Sequence, residues 1–573
     1  MEHNAQLYCD YLIACGYDAS LKNNRLILVK TTFSEFCVVI KVKLPEEGRL
    51  ELPSFFLLDR HKYGALAHIG LYEGGDGPIC IGEDEAFSYD FGNFNLVLEK
   101  SLSKALRVVR NALTDEEYNQ SELKREFAGV WRFHNTHNMS VYCYAQCPKV
   151  CSKLSIKSTD AKSNVKKEIF AFEPKQDLFN SNYYLGQLLN KVPLSRGTKC
   201  VLLNLPSVIA PPVHNEDLSI WWANQLSACE SGFLSELELL LEFTAKRVYI
   251  LCCTVIDDEN VWFGLECYSS KKRQIPIRIG VLTGWEFKAI SVKPISQISI
   301  VPRGGGDTGL LGCKVCVVGC GSVGGYIADM LASSGIGRLL LVDNDRLSFE
   351  NIYRHVLPSE YLFQPKAKSL AQWLENKYPY VKVQNKEKLL LDLKGADLED
   401  VDLIIIATGN ITHERYFNQR MEEEDWGKPF VSCWVEGLGV GGHAAFVCPR
   451  SGGCLDCLFF DNTSGQKSLT PCIAFIKSGQ HILKNYAGCG SEYMPFSSLD
   501  ARETASLATR LALRFLYNEI NSSVYASWKG DDRLAKENDI ELTHRFYRFK
   551  ENGDWKAISN TECGICTGKK IES

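Results

Sequence analysis

Gly319, Gly321 and Gly324 stand in G-x-G-x-x-G spacing directly after the apolar run Val315–Val318. Glycines so spaced permit a tight turn, a close backbone approach to phosphate and close packing of the next helix on a sheet. Ile327, Met330, Leu331 and Ser334 then recur at helical intervals, so the unpaired N–H groups of that helix's first turn face an anion. A second apolar run, Leu339–Val342, ends in Asp343, where an acidic side chain meets ribose hydroxyls. Arg346, Arg354, His355 and Lys366 follow as a basic cluster suited to a triphosphate. Sulfur supplies the other chemistry. Cys80 lies in the glycine-rich GGDGPICIG (Gly74–Gly82), a stretch poorly suited to a core; its plain alternative is one more small apolar residue. Cys489 lies between glycines in AGCG, ahead of a helix expected over Ala501–Glu519, a setting that favours an accessible thiol; Cys472 is the second choice. Two CxxC pairs, Cys454/Cys457 and Cys563/Cys566, offer four thiolates, the donor set of tetrahedral Zn²⁺.

The 573 residues are enough for three or four domains. A net charge of −5 does not describe a chain that binds nucleic acid directly. Neither an apolar run of membrane-spanning length nor a signal-peptide pattern is present, so the chain reads as soluble and cytoplasmic. Twenty-three cysteines then point to thiols, metal and catalysis rather than a disulfide framework. The expected fold class is α/β multidomain, with boundaries at 1–147, 148–300 and 301–573.

In the first domain an amphipathic helix over residues 1–17 precedes strand-like runs at Arg25–Val29, Phe36–Val42 and Leu50–Leu58. A long loop carries Cys80. A helix follows over Phe94–Leu113, then one over Asp115–Phe133 with Thr114 and Glu117 as a capping box. Residues 148–168 read as an exposed polar loop. Strands at Lys199–Asn204, Val248–Val255 and Val261–Tyr268 and a helix around Ser231–Lys246 make a middle domain that names no chemistry, with Cys252 and Cys253 as core residues. Phe430–Trp434 reads as a strand, and Gly437, Gly439, Gly441 and Gly442 as a place where backbone approaches a peptide tail. Asn521–Asn560 reads as polar and irregular.

The run DNDRLSFENIYRH followed by PKAKSLAQWL resembles the ThiF/MoeB adenylation family, which includes the ubiquitin-activating enzymes. The resemblance implies a ThiF/Rossmann-like domain in which Asp343 holds the ribose, Asn351 and Arg354 contact the nucleotide, and Lys366 grips the phosphates of ATP. Arg303 matches a nucleotide-contacting arginine by position only. Where family members place a Mg²⁺-binding Asp after a buried strand, this chain has Gly409 in ATGN; Asp345 is the substitute ligand considered. The family's layout places the second CxxC pair near the terminus, and the text around Cys489 resembles its catalytic loop.

The N-terminal order of helix, antiparallel strands, cysteine-bearing loop and helices resembles the ubiquitin-conjugating fold, with His68 ahead of Cys80. The family's His-Pro-Asn is absent, since Ile69 and Gly70 follow His68, so no Asn is assigned to the oxyanion and His68 is not read as a base. The whole chain resembles the fused ubiquitin-activating/ubiquitin-conjugating-like enzymes of bacterial antiphage operons of the cyclic-oligonucleotide (CBASS) type. That resemblance implies activation of a protein C-terminal carboxylate, that of the neighbouring nucleotidyltransferase (CD-NTase), as an acyl-adenylate. Thioester relay through Cys489 and Cys80 to a target amine follows, in a homodimeric enzyme using ATP, Mg²⁺ and Zn²⁺. The competing readings are an NAD(P)-dependent oxidoreductase and a non-catalytic nucleotide-binding scaffold.

Overall fold

The structure, a computed structural model, describes residues 5–46, 49–70, 75–82, 89–159, 168–174, 179, 183–195, 197–212, 217–240, 242–461, 466–485, 492–550, 555–559, 563 and 565–566. The chain divides into two compact units, Met1–Gln176 with Val192–Ser296, and Asp177–Lys191 with Gln297–Ser573.

The first unit opens with α1 (Ala5–Ala14) and an antiparallel sheet, β1 (Asp18–Asn23), β2 (Leu26–Phe33), β3 (Phe36–Lys43), β4 (Ser54–Leu57) and β5 (Gly77–Ile79), in sequential order. Period-two alternation turns Ile27, Val29, Val38, Ile40 and Val42 to one face. There they pack with Leu98, Leu102 and Val109 of α2 (Phe94–Thr114), as the helical spacing predicts. The reading missed β1 because DASLKN is polar and nearly all exposed, an edge strand held by its ladder to β2 rather than by burial. The helix expected over Asp115–Phe133 is two, α3 (Glu116–Arg125) and α4 (Phe127–His134), broken at Glu126. Its cap is Asp115, whose carboxylate accepts from the Tyr118 N–H at 2.9 Å, whereas Thr114 turns its hydroxyl back to the Arg110 carbonyl.

A closed seven-stranded barrel follows, built from β6 (Ser140–Cys143), β7 (Cys151–Ser158), β8 (Ile169–Phe172) and, after α5 (Tyr184–Lys191) in the second unit, β9 (Thr198–Asn204). After α6 (Leu218–Ser227) and α7 (Ser231–Glu236) come β10 (Thr244–Ile256), β11 (Glu259–Gln274) and β12 (Glu286–Pro294). The order round the barrel is β10-β11-β12-β6-β8-β7-β9. One alternate set, including Val141, Ile156, Leu202, Leu251 and Ile290, fills it; the other, including Val248, Ile250 and Phe263, packs under Phe127, Trp131, Trp221 and Trp222 of α4 and α6. The barrel takes in Ser140–Cys143, which the sequence reading gave to the first domain. It corrects the polar loop as well, because Leu154 and Ile156 alternate inward from the Lys/Ser-rich text to make β7. Cys252 and Cys253 are buried as expected, and Cys253 is disulfide-bonded to Cys147.

In the second unit a short turn of helix, α8 (Gln297–Ile300), leads to β13 (Lys314–Val318), α9 (Ser322–Ser333), β14 (Arg338–Val342), α10 (Lys366–Lys377) and β15 (Lys382–Lys386). Next are β16 (Leu403–Ile406), α11 (Ile411–Glu423), β17 (Phe430–Glu436) and β18 (Gly441–Val447). Two minimal ladders join β19 (Phe460–Asp461) to β20 (Gln466–Lys467), and β21 (Lys484–Asn485) to β22 (Glu492–Tyr493). The long helix α12 (Ser498–Leu516) starts at a capping box of Ser497 and Asp500. Strands β23 (Val524–Lys529) and β24 (Trp555–Ala557) complete one eight-stranded sheet of order β15-β14-β13-β16-β17-β18-β23-β24. Strands β13 to β17 are parallel and the rest antiparallel. Val524, Ala526 and Trp528 point into the core, so the text read as irregular supplies a strand. Helices α9, α10 and α12 cover one face, and α11 with the Cys454–Phe459 turn covers the other. Strand order reverses beside β13, and the carboxyl ends of β13, β14 and β16 open a crevice there, the usual position of a ligand in such sheets.

Candidate active site

The turn after β13 is built by two of its three glycines. Gly319 has φ +88°, and a Cβ on it would lie 2.7 Å from the Ala407 carbonyl oxygen. A Cβ on Gly324 would lie 1.8 Å from the Gly319 carbonyl oxygen, so α9 can only close on the turn without a side chain there. Gly321 has open space and faces the crevice.

Asp343 is buried at the end of β14, with Oδ2 accepting from the Cys320 N–H at 2.6 Å and Oδ1 from the Asp345 N–H at 2.7 Å. Burial raises its pKa, opposed by those two donors and by Lys366. Asp345 is exposed; its Oδ2 lies 3.0 Å from the Lys366 ammonium, and its carbonyl accepts from the Lys366 N–H at the start of α10. Asn351 and Arg354 share the helical turn Phe349–Arg354. Asn351 donates to the Ser348 hydroxyl, while Arg354 turns into the crevice, donating to the Met494 carbonyl at 3.2 Å and stacking over Phe496 at 4.6 Å. His355 is a neutral imidazole. Its Nδ1 accepts from the Leu357 N–H, its Nε2 donates to the Cys320 carbonyl, and burial pushes its pKa down to about 4. Asp343, Asp345, Lys366 and the glycine turn therefore meet at one place. Arg303 is exposed, in a separate short turn, and Arg346 donates to the Phe363 carbonyl.

A cleft of about 490 Å³ runs from Gly321–Val323 past Arg354 to Trp434–Gly437 and the segment between Thr470 and Ile482. Gly409 lines it in the left-handed region (φ +69°). Two acids in this cleft escaped the sequence reading. Glu414 of α11 is buried, accepting from the Thr408 and Ser432 hydroxyls, and burial pushes its pKa up to about 7. Glu436 ends β17 and accepts the backbone N–H groups of Phe475 and Ile476. A signal for each existed: Glu414 lies in the helical stripe of Phe417 and Met421, and Glu436 closes an apolar strand. Of the four glycines assigned to a peptide tail, Gly437 lines the cleft. Gly441 and Gly442 are instead strand residues pressed against Phe475, Trp528 and Thr504, and only Gly fits there. Cys472 is exposed and its thiol donates to the Phe460 carbonyl at 2.9 Å. Cys489 lies outside the described residues.

In the first unit Cys80 follows β5 and is exposed. Its loop is held by groups the sequence reading did not single out. The buried Arg60 guanidinium donates to the Tyr63, Gly64 and Ile69 carbonyls, and burial pushes its pKa down to about 10. Asn119 of α3 accepts from the Ala67 N–H and donates to the Ala65 carbonyl, both at 2.7 Å. His68, at φ +60°, accepts the Cys80 N–H at its carbonyl (2.7 Å) and places its ring between Glu126 and Glu122, which raise its pKa against the effect of burial. Both ring nitrogens are thus occupied by carboxylates. The thiol lies on the rim of a pocket of about 440 Å³ whose walls include Ile69, Ile79, Val130, Phe133, Pro211 and Pro212.

The four cysteines of the CxxC pairs converge. Sγ separations are 3.8 Å (Cys454–Cys457), 3.7 Å (Cys454–Cys563) and 3.5 Å (Cys457–Cys566), with all four within 4.8 Å of one another. Thiolates at the ~2.3 Å Zn–S bond length of a tetrahedral site stand about 3.8 Å apart, so the cluster fits the ion. Asp456, between the first two, is fixed by Arg415 of α11 and Lys467. Among the described residues no helix is long and apolar enough to cross a membrane.

Residues 297–493 match the ThiF family, so the second unit carries a ThiF-type domain. The chain is 32% identical over 209 residues to the ATP-dependent ubiquitin transferase-like protein Cap2 of Pseudomonas aeruginosa (strain BWHPSA011 / Pa011), covering 36% of each chain. It is 21% identical over 519 residues to the protein of the same name from Escherichia coli (strain TW11681), covering 84% of each. It is 24% identical over 217 residues to ubiquitin-like modifier-activating enzyme 5 of Drosophila grimshawi, covering 36% of this chain and 50% of the relative. The chain thus matches about a third of the first of these relatives and half of the last.

Proposed function

We propose that the chain is an ATP-dependent protein-conjugating enzyme of the fused ubiquitin-activating/ubiquitin-conjugating-like type. The observation that carries the reading is the ThiF match over the glycine turn and the cleft that leads away from it. ATP lies at the carboxyl ends of β13 and β14, with its phosphates on the α9 N-terminus and Lys366 and its ribose near Asp343. Arg354 faces the same cleft, and Asn351 is the second nucleotide contact. Mg²⁺ would be held by Asp345 and the phosphates, since Gly409 supplies no carboxylate.

A protein C-terminal carboxylate enters along the cleft, and its oxygen attacks the α-phosphorus as the bond to pyrophosphate breaks. A thiolate, from Cys489 in preference to Cys472, then attacks the acyl carbon and AMP leaves. Transthiolation transfers the acyl group to Cys80 and frees the first thiol. A target amine attacks the thioester carbon, the C–S bond breaks, and the amine's proton passes to the departing Cys80 sulfur, leaving an amide and the free thiol. Beyond the phosphate end the cleft continues to Trp434–Gly437 and the segment between Thr470 and Ile482, which supports a protein tail over a small acid. The neighbouring CD-NTase of an antiphage operon is the substrate this reading names.

In this reading the chain before β6 is the ubiquitin-conjugating-like domain, the barrel that β6 opens is a docking domain, and the activating domain begins at Gln297. The four-cysteine cluster holds Zn²⁺, and the enzyme is a homodimer. ATP–pyrophosphate exchange stimulated by the CD-NTase, with a reductant-sensitive adduct lost in Cys80→Ala, is the expected result. Exchange that never appears with that partner overturns the activating step. A nicotinamide fluorescence change on titrating NAD(P)H would favour hydride transfer instead.

A further inference from the structure

One wall of the cleft is the stretch Ile473–Gln480, which forms no helix or strand beyond an isolated bridge from Ile476 to Leu542 and needs partners for every backbone group it buries. Its carbonyls are taken on one side. Arg545 Nη1 donates to Ile473 O (2.8 Å), the Thr543 hydroxyl to Ala474 O (2.8 Å) and the Thr543 N–H to Phe475 O (2.7 Å). On the other side the N–H groups of Phe475 and Ile476 go to the two oxygens of Glu436, at 2.6 and 2.8 Å. Both residues are buried, so water does not stand in for that carboxylate.

Glu436 is itself fixed from behind. His443 Nε2–H donates to Oε1, Ser527 donates to His443 Nδ1 at 2.8 Å, and Arg545 Nη2 donates to the Ser527 oxygen at 3.1 Å. The Phe475 ring packs against His443 at a tilt, with ring centres 4.9 Å apart. Ser, His and carboxylate stand here in the order of a hydrolytic triad, yet Ser527 and His443 are 1% and 0% exposed, and Arg545 and His443 already engage the hydroxyl. The line is built to hold a carboxylate, not to attack a substrate.

We infer that Glu436 is a positioning residue that fixes the segment Ile473–Gln480 as the preformed wall against which the substrate's C-terminal tail lies. The inference rests on the proposed reading of the cleft. It predicts a rigid tail channel, in which specificity for the last residues of the partner protein depends on a carboxylate whose two oxygens are taken by the Phe475 and Ile476 N–H groups.

The test uses the full chain. In Glu436→Gln one of the two N–H groups faces an amide donor, so hydrogen exchange at Phe475 and Ile476 should rise about tenfold or more, with β13 and β16 unchanged. In ATP–pyrophosphate exchange the KM for the protein partner should rise about tenfold while the KM for ATP stays within about twofold. Ser527→Ala, which leaves Glu436 in place but removes the brace behind His443, should give a smaller change of the same pattern and serves if Glu436→Gln does not fold. Unchanged exchange at Phe475 and Ile476, protection lost across the whole second unit, or both KM values rising together would overturn the inference. Absence of pyrophosphate exchange in the unsubstituted chain would instead remove the functional reading and leave the hydrogen-exchange arm standing.

Discussion

Gly324→Ala puts the nucleotide reading at risk most directly. The added Cβ would lie 1.8 Å from the Gly319 carbonyl oxygen, against the 3.0 Å below which real contacts are essentially never found, a shortfall of about 1.2 Å. The obstacle is backbone, anchored by the Gly319 N–H on the Val342 carbonyl at 2.8 Å, so α9 rather than the turn must give way. Overpacking of this kind costs ~1–3 kcal/mol, and the better helix propensity of Ala returns ~0.5–1 kcal/mol. The net loss, up to about 2.5 kcal/mol, lowers Tm by as much as ~10 °C in a unit of this size. A helix N-terminus displaced by about 1 Å also misplaces its N–H groups, and ATP–pyrophosphate exchange should fall by up to ~10²-fold. Gly321→Ala is the control. Nothing lies within 4 Å of its Cβ, so Tm should hold, while the methyl group projects toward the phosphates and weakens ATP binding alone. Scanning calorimetry and the exchange assay on both variants decide it. A Gly324→Ala protein with unchanged Tm and unchanged KM for ATP would refute the packing argument, and a Gly321→Ala protein of normal affinity would refute the position of the phosphates.

Lys366→Ala removes a buried ammonium from the phosphate end and should reduce pyrophosphate exchange by about 10²-fold with a small change in Tm. Cys454→Ser breaks the thiolate cluster; zinc content measured by atomic absorption should drop toward zero and the second unit should unfold several degrees lower. His355 is buried neutral with its pKa pushed down to about 4, against ~6.5 unfolded. The unfolded chain therefore takes up the proton first, and stability falls as pH drops through that window, by about 3 kcal/mol in all. Denaturant titrations at pH 6.5 and 4 should show that loss shrinking in His355→Gln. Arg60→Leu strips three carbonyls of the Cys80 loop of their donor; exchange of the Cys80 N–H should accelerate and the first unit should lose ~2–4 kcal/mol.

Local chemistry and short periodicity carried much of this. The glycine turn, the alternation in β2 and β3, the stripe on α2 and the two CxxC pairs each express a requirement confined to a few neighbouring residues, so the sequence determined the nucleotide-type turn and the elements that hold it. Where elements are defined by partners far along the chain, the text is silent. Edge strand β1 is polar, β7 hides in Lys/Ser-rich text, and β23 lies in a stretch with few long apolar runs; each exists because a neighbouring ladder completes it. The same holds at the site. Convergence of Cys454 and Cys457 with Cys563 and Cys566, the grip of Asn119 and Arg60 on the Cys80 loop, and the use of Glu436 to fasten Phe475 and Ile476 all join segments far apart in sequence. A carboxylate's role depends on which donors surround it, and the fold alone brings those donors together.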